Sequence, residues 1–411
     1  MRISRRLLLT TLCIGLLAAL LLPLAVSAPG GGKGKPGGEE PPPPPLPPIE
    51  YQIKYFFPPT PSLSSFQISN LNNMNNWGDC VGYYPTADGE RHAWLYNSAI
   101  DPNNAIDLND IGAVGVPDGC IIASAVGIND YGAIVGYVTL LGDLAVRRGY
   151  VLDTSVDPPE FSLLPDNDES WVDTYARRIN ENGDILGSFQ RADGTWGAYV
   201  FNPGLYGPAD TDPEVIDVNL THSQAGDLNN PSEAVPAEVV GTVEGEVAFV
   251  YTRGIGIEFL PYDRPVIGIP YINDAGTICG SIVDEIEVKF HGNKTELVKQ
   301  RFLFRDSGTL KIFNDSGDDS LKNRATGINS QGTILTWGGF VYQDDWGFVD
   351  VDSLVTGTED DVIEWFSWGG MGDGKFNDVG PLGFGQVAGT MGFSDGSRGF
   401  FILTPKEIPI P

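Results

Sequence analysis

Histidine, the side chain best suited to moving protons near neutral pH, occurs only three times, at His92, His222 and His291. None has a cysteine or a second histidine at metal-ligand spacing, so neither a zinc centre nor a Ser-His-Asp triad is expected. His92 falls in an apolar strand-like run, His291 at a hairpin tip (HGNKT) and His222 in a loop. No phosphate-binding or dinucleotide glycine fingerprint occurs either.

Carboxylates are the richer source of chemistry. They cluster at Asp166-Asn167-Asp168-Glu169, Asp210-Thr211-Asp212, Asp344-Asp345 and Glu359-Asp360-Asp361. Oxygen-rich loops of this kind could hold Ca²⁺, the one cofactor the composition suggests. No cluster carries the EF-hand pattern with its central Gly and final Glu, and solvated loop acids account for them without a metal. Acid pairs for glycoside cleavage or lyase chemistry could hide among them, but sequence does not set their separation. Beside these acids stand Trp171, in DNDESWVD, and Trp365 and Trp368, in EDDVIEWFSWGG. Aromatics next to polar groups suit sugar or protein recognition, which makes these three the candidate binding residues. The competing account is that they pack in the core. No catalytic residue can be assigned.

The elements that position these side chains are set by a repeat. An apolar–Asn–x–x–Gly phrase followed by a short β-rich run recurs about every fifty residues, clearest in GINDYGAIVG, RINENGDILG and YINDAGTICG. Its anchors are Asn75, Asn129, Asn180, Asn229, Asn273, Asn329 and Asn377, with degenerate copies at Asn229 and Asn377. Such a period signals one supersecondary unit stacked repeatedly. Around each anchor the chain reads as four short strands: into the Asn turn, out of it, back after a hairpin signal such as Asp88-Gly89 or Asp193-Gly194, and out again. Helical periodicity is absent. The expectation is an all-β, seven-bladed β-propeller of four-stranded antiparallel blades. The last unit lacks a fourth strand, and an orphan strand, Tyr51 to Phe56, precedes the first. The N-terminal strand is therefore expected to pair with the last blade, closing the ring and covering a sheet edge. Asn suits the turn because it bonds nearby backbone, which argues against a seven-fold ligand site made of Asn side chains.

The repeat resembles the HAF-repeat family of extracellular bacterial proteins, through Ile128-Asn129-Asp130-Tyr131-Gly132-Ala133-Ile134-Val135-Gly136 and the aromatic strands His92-Ala93-Trp94-Leu95-Tyr96 and Val247-Ala248-Phe249-Val250-Tyr251. The resemblance implies an exported repeat protein and no agreed activity. A glycine is missing where the sixth copy should close, at Thr336.

Residues 1–27 read as a signal peptide: Arg2, Arg5 and Arg6, an apolar core, then a small-residue cleavage site. Residues 28–49 are a Gly- then Pro-rich tether, 50–405 the propeller and 406–411 a tail. The destination is secreted or extracellular, at the periplasm or cell surface. The formal charge of −29 discounts nucleic acid and anionic lipid as partners. Once the signal is removed no membrane insertion is expected. A monomer meeting an extracellular protein or polysaccharide fits best. Cys80 and Cys120 could bridge neighbouring repeats, with buried thiols as the alternative. The fifth unit carries a long charged hairpin, Glu285 to Gln300, which could contact a partner or be a tolerated insertion. The favoured function is a non-enzymatic binding or surface-structural module; the alternative is an extracellular polysaccharide hydrolase or lyase.

Overall fold

The computed structural model describes residues 46–59, 69–140, 143–165, 171–216, 223–232, 236–261, 265–290, 293–306, 309–313, 325–336, 339–356, 363–367, 375–378, 380–393 and 397–408. The expected signal peptide, most of the tether, His222, His291, Trp368 and the acid clusters at 166–169 and 359–361 lie outside the described residues. Among the described residues no helix is long and apolar enough to cross a membrane.

Six four-stranded antiparallel sheets follow one another, over 70–107, 120–163, 171–216, 223–259, 266–313 and 325–350. Within each, the strands pair in chain order. This is a β-propeller of six four-stranded blades, numbered here one to six. The expectation of seven four-stranded blades needs correction, because the remaining sheet holds six strands. That terminal sheet runs Val355–Thr356, Ile49–Phe56, Arg398–Glu407, Val387–Phe393, Ile363–Ser367, with Lys375–Phe376 also against Val387–Phe393. The N-terminal strand Ile49–Phe56 lies antiparallel to Arg398–Glu407, from Ile49↔Glu407 to Phe56↔Phe400, and parallel to Val355–Thr356.

Blade three shows why these residues make these elements. Trp171–Ile179 enters the Asn180 turn, Ile185–Arg191 leaves it, and Trp196–Phe201 returns after the Asp193-Gly194 hairpin. Consecutive residues of the second strand point to opposite faces, so Ile185 joins the core shared with blade two while Leu186 joins the core shared with blade four. Every buried cluster is built this way from two neighbouring sheets. The terminal sheet packs Phe401 and Leu403 with Leu335 and Val341 of blade six, and Phe56 and Phe400 with Trp94 and Tyr96 of blade one.

The glycine that closes the repeat phrase has a packing role. Gly82, Gly136, Gly187 and Gly241 sit opposite Trp94, Tyr150, Tyr199 and Phe249. A Cβ on Gly187 would come 2.1 Å from the Tyr199 ring. Glycine and aromatic are thus one cross-strand pair, the ring using space that a side chain would fill.

All three described thiols are free, so no Cys80–Cys120 bridge forms. Cys80 and Cys279 are buried, and burial pushes both thiols well above their usual range. The fifth blade's hairpin extends as the sequence suggests, paired without interruption from Ile278↔Arg305 to Phe290↔Asn293.

Candidate functional site

The Asn anchors work in two directions, except Asn229, whose Nδ2 donates to the Pro236 carbonyl within its own unit. Locally, the Asn129 Oδ1 accepts the backbone N–H groups of Tyr131 and Ala133 at 3.2 and 2.9 Å. Gly132 closes the turn at φ +83°, a conformation that glycine adopts without strain. Outward, the Asn129 Nδ2 donates to the carbonyl of Asn180 in the next blade at 3.1 Å. The same step joins Asn75 to Asn129, Asn180 to Asn229 and Asn273 to Asn329, and Asn377 donates back to Asn75 at 3.0 Å. An Asn here must accept and donate at once, which an ionised Asp cannot do. In the two degenerate copies the turn is longer, yet Asn229 and Asn377 still accept the N–H groups of Glu238 and Gln386.

The residue after each anchor forms a second layer. The Asn76 backbone N–H donates to Asp130 Oδ1 at 2.7 Å and its Nδ2 to Oδ2 at 2.9 Å. The Asp130 N–H donates to both Glu181 oxygens, the Glu181 N–H to Asn230, and Asn230 to Asp274. Ser330 donates to Asp378, whose own N–H donates to Asn76. These seven residues line a pocket of about 150 Å³ over a floor that includes Met74, Ile128, Ile272 and Ile328.

Four of the seven are carboxylates, and among the described residues lining the pocket none is Lys, Arg or His. Burial, opposed by the Asp130 amide and reinforced by the charges of Asp130 and Asp274, raises the Glu181 carboxyl from its ordinary 4.5 to about 7. Burial likewise raises Asp79, with Asn75 opposing and Asp130 adding to the shift. Protons, hydroxyl-rich ligands and cationic groups are favoured here, and anions are not. Each carboxylate already accepts a backbone amide, so the layer also acts as a clasp between blades.

Aromatic side chains follow this layer in the chain, outside the pocket lining. Trp77 is 74% exposed, yet its Nε1 is held at 2.9 Å from the Asp130 carbonyl. Tyr131 is 57% exposed and lies 4.7 Å, centroid to centroid, from Tyr206, whose hydroxyl accepts from Asn129. Trp77 and Tyr131 occupy the second variable position of the repeat phrase. Sequence reasoning passed over them as turn residues; the signal was a large ring where other copies carry Asn182, Ala275 or Gln331.

Among the described side chains, the binding candidate Trp171 does not line this pocket. Trp171 is 5% exposed and stacked on Phe189 at 3.9 Å, a core residue between blades two and three. Its neighbouring acids misled because strand alternation, not local polarity, decides which face it takes. Trp365 lies in the terminal sheet opposite Gly392. Asp210 pairs with Arg253, which also holds Asp184 and Glu214, and Asp344 accepts from the Tyr342 hydroxyl. Among the described residues no group of three or more His, Cys, Asp or Glu is placed to hold a metal. His92 is half-buried and bonded through Nδ1 to the buried Asp107, which also accepts from Tyr84.

No family model matches the chain, and no curated protein matches it in sequence. Among solved structures, the crystal structure of a triple arginine-to-alanine mutant of AofleA from Arthrobotrys oligospora is similar at 15% identity, with a TM-score of 0.34, over 61% of this chain and 73% of that one.

Proposed function

We propose that this chain is an exported HAF-repeat protein: a seven-bladed propeller, closed by its N-terminal strand, that serves as an extracellular binding module and holds a glycan at the aromatic side chains Trp77, Tyr131 and Tyr206. The terminal sheet supplies the seventh blade in this reading, supported by its packing on both blade six and blade one and by the Asn377–Asn75 bond. Export rests on the signal-like residues 1–27, and the Gly/Pro-rich 28–49 would tether the ring away from a surface.

The observation that carries the binding role is Trp77. An indole that exposed leaves much of its apolar area in water, and fixing its nitrogen removes rotamer freedom as well. A ligand stacking on it recovers the first cost without incurring the second. The pocket beside it is lined by carboxylate and side-chain amide groups. A glycan array probed with the purified protein, with and without Ca²⁺, tests this. Retention that falls about tenfold in Trp77→Ala, with an unchanged circular dichroism spectrum, is the expected outcome. No retention at all would sink the glycan reading and leave a protein partner.

One observation favours a second reading. Glu181, raised to about 7 beside Asp130 and Asp274, has the character of a general acid in a polysaccharide hydrolase or lyase. Release of reducing or unsaturated ends from array-positive glycans, abolished in Glu181→Gln, would establish it.

A further inference from the structure

On blades one to three, guanidinium groups and aromatic rings alternate in a row. Arg91 stands 4.7 Å from the Tyr83 ring centre and donates to the Tyr137 hydroxyl at 3.5 Å. Arg147 lies 5.6 Å from Tyr137, 5.1 Å from Tyr175 and 5.7 Å from Trp196. Arg177 lies 5.6 Å from the Tyr175 ring centre. The contacts run unbroken from one blade to the third, in a chain with only 25 basic residues against 54 acidic ones.

The three arginines differ in what they have to give. Arg147 is neutralised by a forked pairing with the buried Asp173. Among the described residues Arg91 and Arg177 meet no carboxylate: Arg91 has the Tyr83 ring and the Tyr137 hydroxyl, and Arg177 has the Tyr175 ring and the Ala225 carbonyl. Arg91 is exposed, while Arg177, Tyr83, Tyr137, Tyr175 and Trp196 are each half-buried. Cation–π stacking leaves the charge of the Arg91 and Arg177 guanidinium groups unneutralised and several of their donors unused. Two such forks separated by aromatic faces match a polymer that presents carboxylates at intervals along a chain of flat-faced rings.

We propose that this row is a second binding surface, distinct from the Trp77 site, that takes an acidic polysaccharide, with uronate carboxylates on Arg91 and Arg177 and sugar rings against Tyr137, Tyr175 and Trp196. The surrounding negative charge selects against densely charged polymers: duplex DNA carries a charge about every 1.7 Å and would be repelled, whereas one carboxylate per sugar or fewer is tolerated. The surface stands independently of whether Trp77 holds a glycan.

The test is isothermal titration of the purified protein with short oligogalacturonates, their methyl esters and single-stranded oligodeoxythymidylate. The free acids are expected to bind, and the neutral esters to bind at least about tenfold more weakly, the equivalent of one lost charge-assisted contact. Arg91→Ala and the Arg91→Ala/Arg177→Ala double variant should lose affinity in that order. Arg91→Lys, which keeps the charge but not the fork, should fall between. Equal binding of acid and ester, undiminished binding by a natively folded Arg91→Ala, or tighter binding of the oligonucleotide than of the oligogalacturonate would overturn the proposal. Arg91 is exposed, so its replacement keeps the test usable even if the double variant fails to fold.

Discussion

A single Asn in this protein satisfies backbone groups in two blades, and that double duty sets the cost of losing it. Asn129→Ala takes the side-chain partner from the buried Ala133 amide and leaves the Asn180 carbonyl with the Gly183 amide alone. A loss of roughly 2–4 kcal/mol in urea unfolding is expected. Asn129→Asp, which keeps the acceptor and removes the donor, should cost less; equal losses would show that the outward bond is the one that matters. Glu181 gives a pH signature at the same scale. Its folded-state value is raised, so the folded protein holds this proton more tightly than the unfolded chain does. Its contribution to stability is full below its ordinary 4.5 and is lost as pH rises toward about 7. The midpoint difference between wild type and Glu181→Gln should change across that window and be flat above it; a constant difference would refute the shifted proton. Half of this was legible in advance. The Asn turn follows from local chemistry, whereas the outward bond joins residues some fifty positions apart and leaves no mark in either copy alone.

The strands show how local rules become blades. Glycine at the end of the repeat phrase and the aromatic two strands' length later looked like separate signatures; the register makes them one contact, as with Gly136 and Tyr150. A missing strand at one end and a spare one at the other can be counted from the sequence, and Ile49–Phe56 lies antiparallel to Arg398–Glu407. Its parallel contact with Val355–Thr356 could not be counted, because two residues carry no periodicity. This strand buries Tyr51 and Phe56 completely. A chain beginning at residue 58 should therefore expose the edge of Arg398–Glu407 and aggregate, while one beginning at residue 46 should behave as the full protein. Light scattering after size exclusion distinguishes them, and a peptide covering 46–58 should restore the monomer. A monomeric 58–411 protein with unchanged melting would show the strand to be dispensable.

Across the whole molecule, a formal charge of −29 on a fold with few compensating bases stores self-repulsion. Raising sodium chloride from low to physiological concentration should raise the melting temperature, as screening shortens the reach of that repulsion to about 8 Å. A flat or falling profile in calorimetry would mean that specific ion pairs such as Arg253 with Asp184 and Asp210 dominate instead. The amino-acid order alone determined the repeat, the turn at each Asn, the direction of every blade and the spare strand at the start, because each of these depends on neighbours within one unit. Only the tertiary structure decided which side chains meet. Asp130, Glu181 and Asp274 become one electrostatic unit when their blades stack, and Trp171 goes into the core while Trp77 stays in water. Burial of a side chain is a property of what covers it, and in every core cluster here part of the covering surface belongs to a neighbouring sheet.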